Sequence, residues 1–397
     1  MQAELNIGLL GHVDHGKTSV TKMLTGTWTD VHSMEVKRGI TIKLGYAEMN
    51  MRKCKKCDLY TTSKKCPKCG GETKELRKIS FVDAPGHETL MATVIAASSI
   101  LDGALLIIAA NEPCPQPQTK EHKMVLEILG VKNIVVVQNK IDLVSKEKAK
   151  EHYNQIKEFL KGSIYENAPI IPISANYNAN LDVLLRAIEE YIPTPKREET
   201  DKPLFFVARS FDVNKPGTPI DKLVGGVIGG SVVSGSFKVG DEIQIAPGII
   251  RIGKSNPEII KTKIIGMMAG SEKVQEAKPG GLIAIQTTLD PSIAKADGLV
   301  GNVISTVGNL PPLHTELEIE YSLLNRVDFE NTSIKEGEAI VISVGTSTTV
   351  GMAQHVKKNK MKVLLKRPVC APIGSKVAIS RRVNQRWRLA GAGKIVN

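Results

Sequence analysis

From residue 4 to about residue 191, short apolar runs alternate with stretches in which apolar residues recur every three or four positions. "ELNIGLL", "KISFVDA", "GALLIIAA", "NIVVVQNK" and "APIIPIS" have no polar face, so they predict largely buried strands. Between them, "KTSVTKMLTG", "HETLMATVIAASSIL", "QTKEHKMVLEILG", "KEKAKEHYNQIKEFLKG" and "NLDVLLRAIEEYI" carry helical spacing. Alternation of this kind predicts a doubly wound, mostly parallel sheet with helices on both faces.

The rhythm stops at "IPTPKREETDKP", Ile192 to Pro203, where three prolines and a charge cluster predict a linker. Beyond it no long helical pattern is found. Glycine-punctuated segments such as "KLVGGVIGGSVVSGSFKVGDEIQIAPG", "ELEIEYSLL" and "EAIVISVGTSTTVGMAQ" predict β-barrels. The double proline in "GNLPPLHTE", Gly308 to Glu316, marks the expected boundary between two of them. The expected domains are therefore 1–200, 201–309 and 310–397, with a cysteine-bearing insert at 52–72 in the first.

A length of 397 residues and an apolar content of 42% suit several cores. No apolar run approaches the roughly 18 residues of a membrane helix, and the first ten residues lack a signal-peptide layout. A cytoplasmic protein with no membrane partner is expected. The formal charge is +12, and its placement is uneven: after Glu338 there is no acidic residue, while twelve lysines and arginines follow, from Lys357 to Lys394. Such a stretch predicts a surface for a polyanion, nucleic acid above all, with a solvated basic face as the alternative.

The chemistry is concentrated in the first domain. "GLLGHVDHGKTSV" places Gly11, Gly16, Lys17 and Thr18 in the G-x-x-x-x-G-K-[ST] pattern, after a strand and before a helix. Glycines let backbone N–H groups turn toward phosphate oxygens, lysine neutralises the β/γ charge, and threonine offers a hydroxyl to Mg²⁺. The candidate phosphate-binding run is Asp14, His15, Gly16, Lys17, Thr18 and Ser19; His12 and His15 read as spacers rather than metal ligands. "FVDAPGH" supplies Asp83, which can hold Mg²⁺ through water, and Gly86, whose N–H can face a γ-phosphate. "NKID" supplies Asn139, Lys140 and Asp142; a carboxylate there can accept from guanine N1–H and N2–H₂, a pattern adenine lacks. Ser174, Ala175 and Asn176 follow the next strand and can add a backbone contact to guanine O6. Cys54, Cys57, Cys66 and Cys69 form two Cys-x-x-Cys pairs; four thiolates close a tetrahedral Zn²⁺ site of structural type, and a pair of disulfides or redox thiols is the alternative. Cys114 and Cys370 are isolated and expected only to pack.

With these elements in order, the chain resembles translational GTPases of the elongation factor Tu class. "LTGTWTDVHSMEVKRGITIKLGYAE", the four-cysteine insert and "SRRVNQRWRLAGAG" narrow the resemblance to the gamma-subunit family of archaeal and eukaryotic translation initiation factor two, over nearly the full length. The resemblance implies an α/β P-loop GTPase domain with an inserted zinc knuckle, followed by two β-barrel domains. It implies GTP/GDP, Mg²⁺ and Zn²⁺ as ligands. It also implies assembly with alpha and beta subunits into a heterotrimer that carries methionyl initiator tRNA to the small ribosomal subunit. "RGITI" then matches the first switch, with Thr41 reaching Mg²⁺, and a second Mg²⁺ would involve Asp14 and the carbonyl of Gly39. Asp14 as a turn former is the alternative. His87 matches the histidine that positions the attacking water; a helix-capping role is the alternative. No arginine is marked as a charge-stabilising finger, so slow hydrolysis without an outside partner is expected. Two other functions fit the same motifs: a specialised elongation factor carrying another aminoacyl-tRNA, and a GTP-bound scaffold for ribosomal RNA.

Overall fold

The structure, a computed structural model, describes residues 2–29, 44–87, 90–197, 202–250, 257–326 and 329–397. Gly39 and Thr41, two of the expected metal-site residues, lie outside the described residues. The chain divides into two compact units at Lys196/Arg197.

The first unit holds strands β1 (Leu5–Gly11), β2 (Gly45–Cys54), β3 (Tyr60–Thr61), β4 (Thr73–Asp83), β5 (Gly103–Ala109), β6 (Asn133–Asn139) and β7 (Ile170–Pro172). They form one sheet in the order β3-β2-β4-β1-β5-β6-β7. From β4 to β7 every pairing is parallel, as in Leu9↔Asp83 and Gly11↔Ile107. All seven residues of β1 and all seven of β5 are buried, which is why both strands are apolar apart from Asn6, whose Nδ2 donates to the Ile100 carbonyl at 3.0 Å. β2 runs antiparallel to β4 and alternates buried with half-buried positions, so its sequence, GYAEMNMRKC, lacks an apolar run. It is the one long strand of this sheet that the hydrophobic pattern did not reveal.

Helices α1 (Lys17–Thr25), α2 (Met91–Ser98), α3 (Pro117–Leu129), α4 (Lys146–Leu160) and α5 (Leu181–Tyr191) cover the sheet. Local signals set their ends. Ser145 caps α4 by accepting from the Lys148 N–H at 3.3 Å, and α3 opens on Pro117 and ends on left-handed Gly130. Val20, Met23 and Leu24 of α1 and Leu184, Leu185 and Ile188 of α5 share a core with Leu5, Ile7 and Leu9, which point to one face of β1.

In the second unit β8 (Leu204–Phe211), β9 (Val227–Ser234), β11 (Glu242–Ile249), β12 (Glu258–Ala269), β15 (Ile283–Thr287) and β16 (Val303–Thr306) form a six-strand barrel closed by the β11–β12 pairing. Short strands β10 (Phe237–Lys238), β13 (Glu272–Val274) and β14 (Glu276–Ala277) lie beside it. β17 (Leu313–Leu323), β18 (Ala339–Val344), β19 (Ser347–Gln354), β20 (Lys360–Cys370), β21 (Lys376–Val383) and β22 (Arg386–Ile395) form a second closed barrel, in the order β17-β20-β19-β18-β21-β22. Each barrel has its own apolar core, as closure with alternating in/out side chains requires.

The basic tail lies in the second barrel, and the barrel neutralises part of it. Arg381 pairs with Glu338, Lys362 with Glu316 and Lys394 with Glu320, so acids that precede the tail in sequence meet it across strands. Among the described residues no helix is long and apolar enough to cross a membrane.

Candidate functional site

Four loops meet at the carboxyl ends of β1, β4, β6 and β7, the edge at which open parallel sheets place their ligands. The first loop runs from β1 into α1. Gly11 has φ +151°, and a Cβ there would lie 2.2 Å from the Ile107 carbonyl oxygen, so only glycine fits against β5. Gly16, at φ +87°, opens α1, and a Cβ there would meet Asn139 Nδ2 at 2.5 Å. Asp14 is exposed and left-handed, at φ +60°. Lys17 is buried, and its ammonium donates to the carbonyls of Gly11 (3.2 Å) and His12 (2.7 Å), which holds the charge at the mouth of the loop.

Thr18 Oγ1 donates to Asp83 Oδ2 at 2.8 Å, joining the start of α1 to the end of β4. Thr29, which no sequence signal marked, donates to the same oxygen at 2.7 Å. Asp83 is fully buried, so these hydroxyls help to keep its carboxylate tolerable in the interior. Three residues further the backbone passes Lys17: a Cβ on Gly86 would fall 2.5 Å from Lys17 Nζ and 3.0 Å from the Val13 nitrogen. His87 is half-buried, and its carbonyl accepts from the Leu90 N–H at the start of α2.

Asn139 ties three of the loops together. Its Nδ2 donates to the His15 carbonyl at 3.0 Å, and its Oδ1 accepts from the Ala175 N–H at 3.1 Å. Lys140 is left-handed at φ +62° and turns the chain so that Asp142 is exposed. Ser174 is buried, Asn176 exposed. The site residues expected from sequence within the described residues thus gather along one edge, with Ser19 half-buried on α1.

Three histidines surround the first loop, and burial holds all three neutral. It drives His15 and His122 down to about 3 and lowers His12. His15 Nδ1 faces the Ile107 carbonyl at 3.1 Å, so that nitrogen carries the proton. Lys17 therefore holds the positive charge of the loop without competition from imidazolium.

The four paired cysteines have their sulfurs within 4.8 Å of one another, with Cys54 and Cys69 sulfurs 3.6 Å apart. A tetrahedron with metal–sulfur bonds of about 2.3 Å has edges of about 3.8 Å, so the cluster fits Zn²⁺. Backbone N–H groups of Cys57 and Lys56 pull the Cys54 thiol down to about 7, whereas hydrogen bonding to Cys69 pushes Cys57 up to about 12. Thiols that contend for protons in this way release them together to a divalent cation. At the base of the insert Asp58 pairs with Lys53 (2.6 Å) and Arg186 (3.4 Å), and both cations lie over the Tyr60 ring.

Comparison with known proteins agrees with this geometry. Residues 2–194 match the family described as "Elongation factor Tu GTP binding domain" and residues 315–395 the one described as "Initiation factor eIF2 gamma, C terminal". The chain is 55% identical to translation initiation factor 2 subunit gamma of Methanocaldococcus jannaschii, over 99% of this chain and 98% of that protein. The same-named protein of Methanococcus maripaludis is 56% identical, over 100% and 99%. This chain belongs to the gamma-subunit family of translation initiation factor 2. Membership makes it a translational GTPase of initiation, which uses GTP/GDP and Mg²⁺; the four-cysteine cluster is compatible with Zn²⁺. The fold is shared more widely. A bacterial selenocysteine-specific elongation factor superposes with a TM-score of 0.77 at 25% identity, covering 99% of this chain and 58% of that one. The elongation factor SelB of Methanococcus maripaludis, with the GTP analogue GppNHp, gives 0.74 at 23% identity, covering 100% and 79%. Identity at 55% against 23–25% places the chain with the initiation factors rather than with specialised elongation factors.

Proposed function

We propose that this protein is the GTP-switched carrier of methionyl initiator tRNA, working with alpha and beta subunits in a heterotrimer, and that it delivers the tRNA to the small ribosomal subunit and releases it after hydrolysis. The observation that carries the proposal is the approach of the Gly86 backbone to Lys17, which leaves no room for a Cβ. A γ-phosphate bound beside them can accept from the Gly86 N–H and the Lys17 ammonium, and GDP cannot; only such differential contacts shift a conformational equilibrium. The 55% relation to initiation factor gamma subunits supports initiator tRNA as the cargo.

In this reading the N–H groups of the Asp14–Ser19 run and the Lys17 ammonium hold the phosphates. Asp142 reads guanine, with Asn139, Lys140 and the Ser174–Asn176 backbone shaping its pocket. The Thr18 hydroxyl and the Asp83 carboxylate, 2.8 Å apart, are the hard oxygen donors that Mg²⁺ takes, directly or through water. Bound there, Mg²⁺ would neutralise charge developing on the phosphate oxygens. Thr41, and Asp14 with the Gly39 carbonyl at a second ion, keep the roles that the family resemblance assigns. His87 orients the attacking water.

Titration of initiator and elongator aminoacyl-tRNAs onto the assembled trimer tests the proposal. A coupling of about 1–3 kcal/mol makes GTP tighten initiator binding roughly 5- to 150-fold over GDP, and makes the tRNA tighten GTP by the same factor. Equal affinities in the two nucleotide states would sink the carrier reading and favour an RNA-binding scaffold. Gly86→Ala should bind both nucleotides yet lose the advantage of GTP to within about twofold, because its methyl group blocks the approach to Lys17. Retention of the full GTP effect in that variant would remove Gly86 from the switch.

A further inference from the structure

Helix α3 reaches the phosphate loop through the His122 side chain. The Gly11 N–H donates to His122 Nδ1 at 2.8 Å, in a fully buried bond between residues 111 positions apart. On the other side of the same Cα, the Gly11 carbonyl accepts from Lys17 Nζ at 3.2 Å. The two peptides that flank Gly11 are thus held from opposite directions, one by His122 and one by the lysine that serves the phosphates. The backbone between them has φ +151° and is pressed against Ile107 of β5, so it has no side chain of its own to fix it.

The imidazole is there at a cost. His122 is completely buried, and with Nδ1 accepting, the proton must sit on Nε2, which has no hydrogen-bond partner among the described residues. An aliphatic residue of similar volume would fill the space beneath the loop without that unsatisfied donor. A histidine earns this position only through what Nδ1 does. Burial keeps it neutral, with Lys17, His12 and His15 adding to the pressure against a second proton, so Nδ1 stays an acceptor.

We propose that His122 is a positioning residue for GTP binding and hydrolysis: from α3 it orients the Gly11 peptide and, through it, the loop that aims Lys17 at the phosphates. His122 does not touch nucleotide in this assignment; it acts through Gly11. The inference rests on the reading of Gly11–Thr18 as the phosphate site and is independent of tRNA carriage.

Three replacements separate positioning from filling. Asparagine puts an amide oxygen where the imidazole has Nδ1, phenylalanine fills the volume without an acceptor, and alanine does neither. Affinities for a fluorescent GDP and for a GTP analogue are measured with Mg²⁺, alongside thermal unfolding and single-turnover hydrolysis. His122→Phe and His122→Ala should weaken both nucleotides on the order of tenfold, the effect of one buried hydrogen bond, and slow hydrolysis by at least as much. His122→Asn should return affinity to within about threefold of the parent. A phenylalanine variant that binds GDP as tightly as the parent overturns the proposal; so does an asparagine variant that binds as weakly as a phenylalanine variant of equal melting temperature. If the replacements do not fold, ¹⁵N spectra of the unaltered protein decide. An unprotonated His122 Nδ1 coupled to the Gly11 amide supports the assignment, and a protonated Nδ1 ends it. A parent protein that fails to bind GDP at all would instead refute the phosphate-site reading beneath both.

Discussion

Asp142→Asn is expected to turn the nucleotide preference from guanine to xanthine. The carboxylate, carried out of β6 by the left-handed turn at Lys140, is exposed and free to accept two hydrogen bonds from the base. An amide presents a donor where guanine also donates, so one acceptor is lost and two N–H groups are opposed. Xanthine carries a carbonyl at that position and restores the match. The lost hydrogen bond to a charged group costs about 1.5–3 kcal/mol and the opposed N–H groups about 1–3 kcal/mol more, so the loss for GDP is about 2.5–6 kcal/mol, roughly 10²- to 10⁴-fold in affinity. Discrimination on that scale is what sites built around a specific hydrogen-bonding edge achieve. Competition between GDP and XDP for the variant measures it directly. An unchanged preference for GDP would move base reading away from Asp142.

Removal of zinc should have the second large effect, and a local one. One Zn²⁺ per chain is expected on Cys54, Cys57, Cys66 and Cys69, and structural zinc contributes about 10–16 kcal/mol of apparent binding free energy in small domains. Nothing else in the insert matches that. Tyr60 and Thr61 form a two-residue strand, and the ion pairs at Asp58 are surface ones. Replacing Cys54 and Cys57 by serine should therefore free the amides of residues 52–74 to exchange. The opposite end of β4 is secured independently, by Leu9↔Asp83 pairing and buried Ile79 and Phe81, so GDP affinity should stay within about twofold. Elemental analysis of freshly reduced protein together with hydrogen exchange tests both parts. Absence of metal from the parent would return the cysteines to a disulfide or redox role. Loss of protection at residues 79–83 in the variant would mean that the knuckle supports the nucleotide edge.

Much of the first unit was legible because its physics is local. A strand buried on both faces reads as a near-continuous apolar run, and β1 and β5 announce themselves in this way. β2 did not, since its antiparallel, half-buried setting permits glutamate, asparagine and arginine at alternate positions. The tail is a case in which the fold adds partners that linear order hides. Counted along the chain its charge is uncompensated, yet Glu316, Glu320 and Glu338 meet Lys362, Lys394 and Arg381 across barrel strands. Linear charge measures a surface only where neighbours in sequence are also neighbours in space.

What the sequence by itself marked was a set of candidate residues at fixed offsets: a glycine-rich turn before a lysine and threonine, a carboxylate and glycine at the end of a later strand, and paired cysteines. Phosphate oxygens and a tetrahedral metal have rigid dimensions, so the residues that meet them must stand at set spacings, and such spacings are visible in one dimension. Only the tertiary structure decided which groups hold those residues in place. Thr29 sharing the Asp83 oxygen with Thr18, Asn139 joining the His15 carbonyl to the Ala175 N–H, and His122 beneath Gly11 are contacts across 54, 124, 36 and 111 positions. No spacing rule governs them, because a support can come from any element that packs alongside and offers a donor or acceptor at the right place. They are settled by the fold, through burial and the need to pair every polar group that burial removes from water.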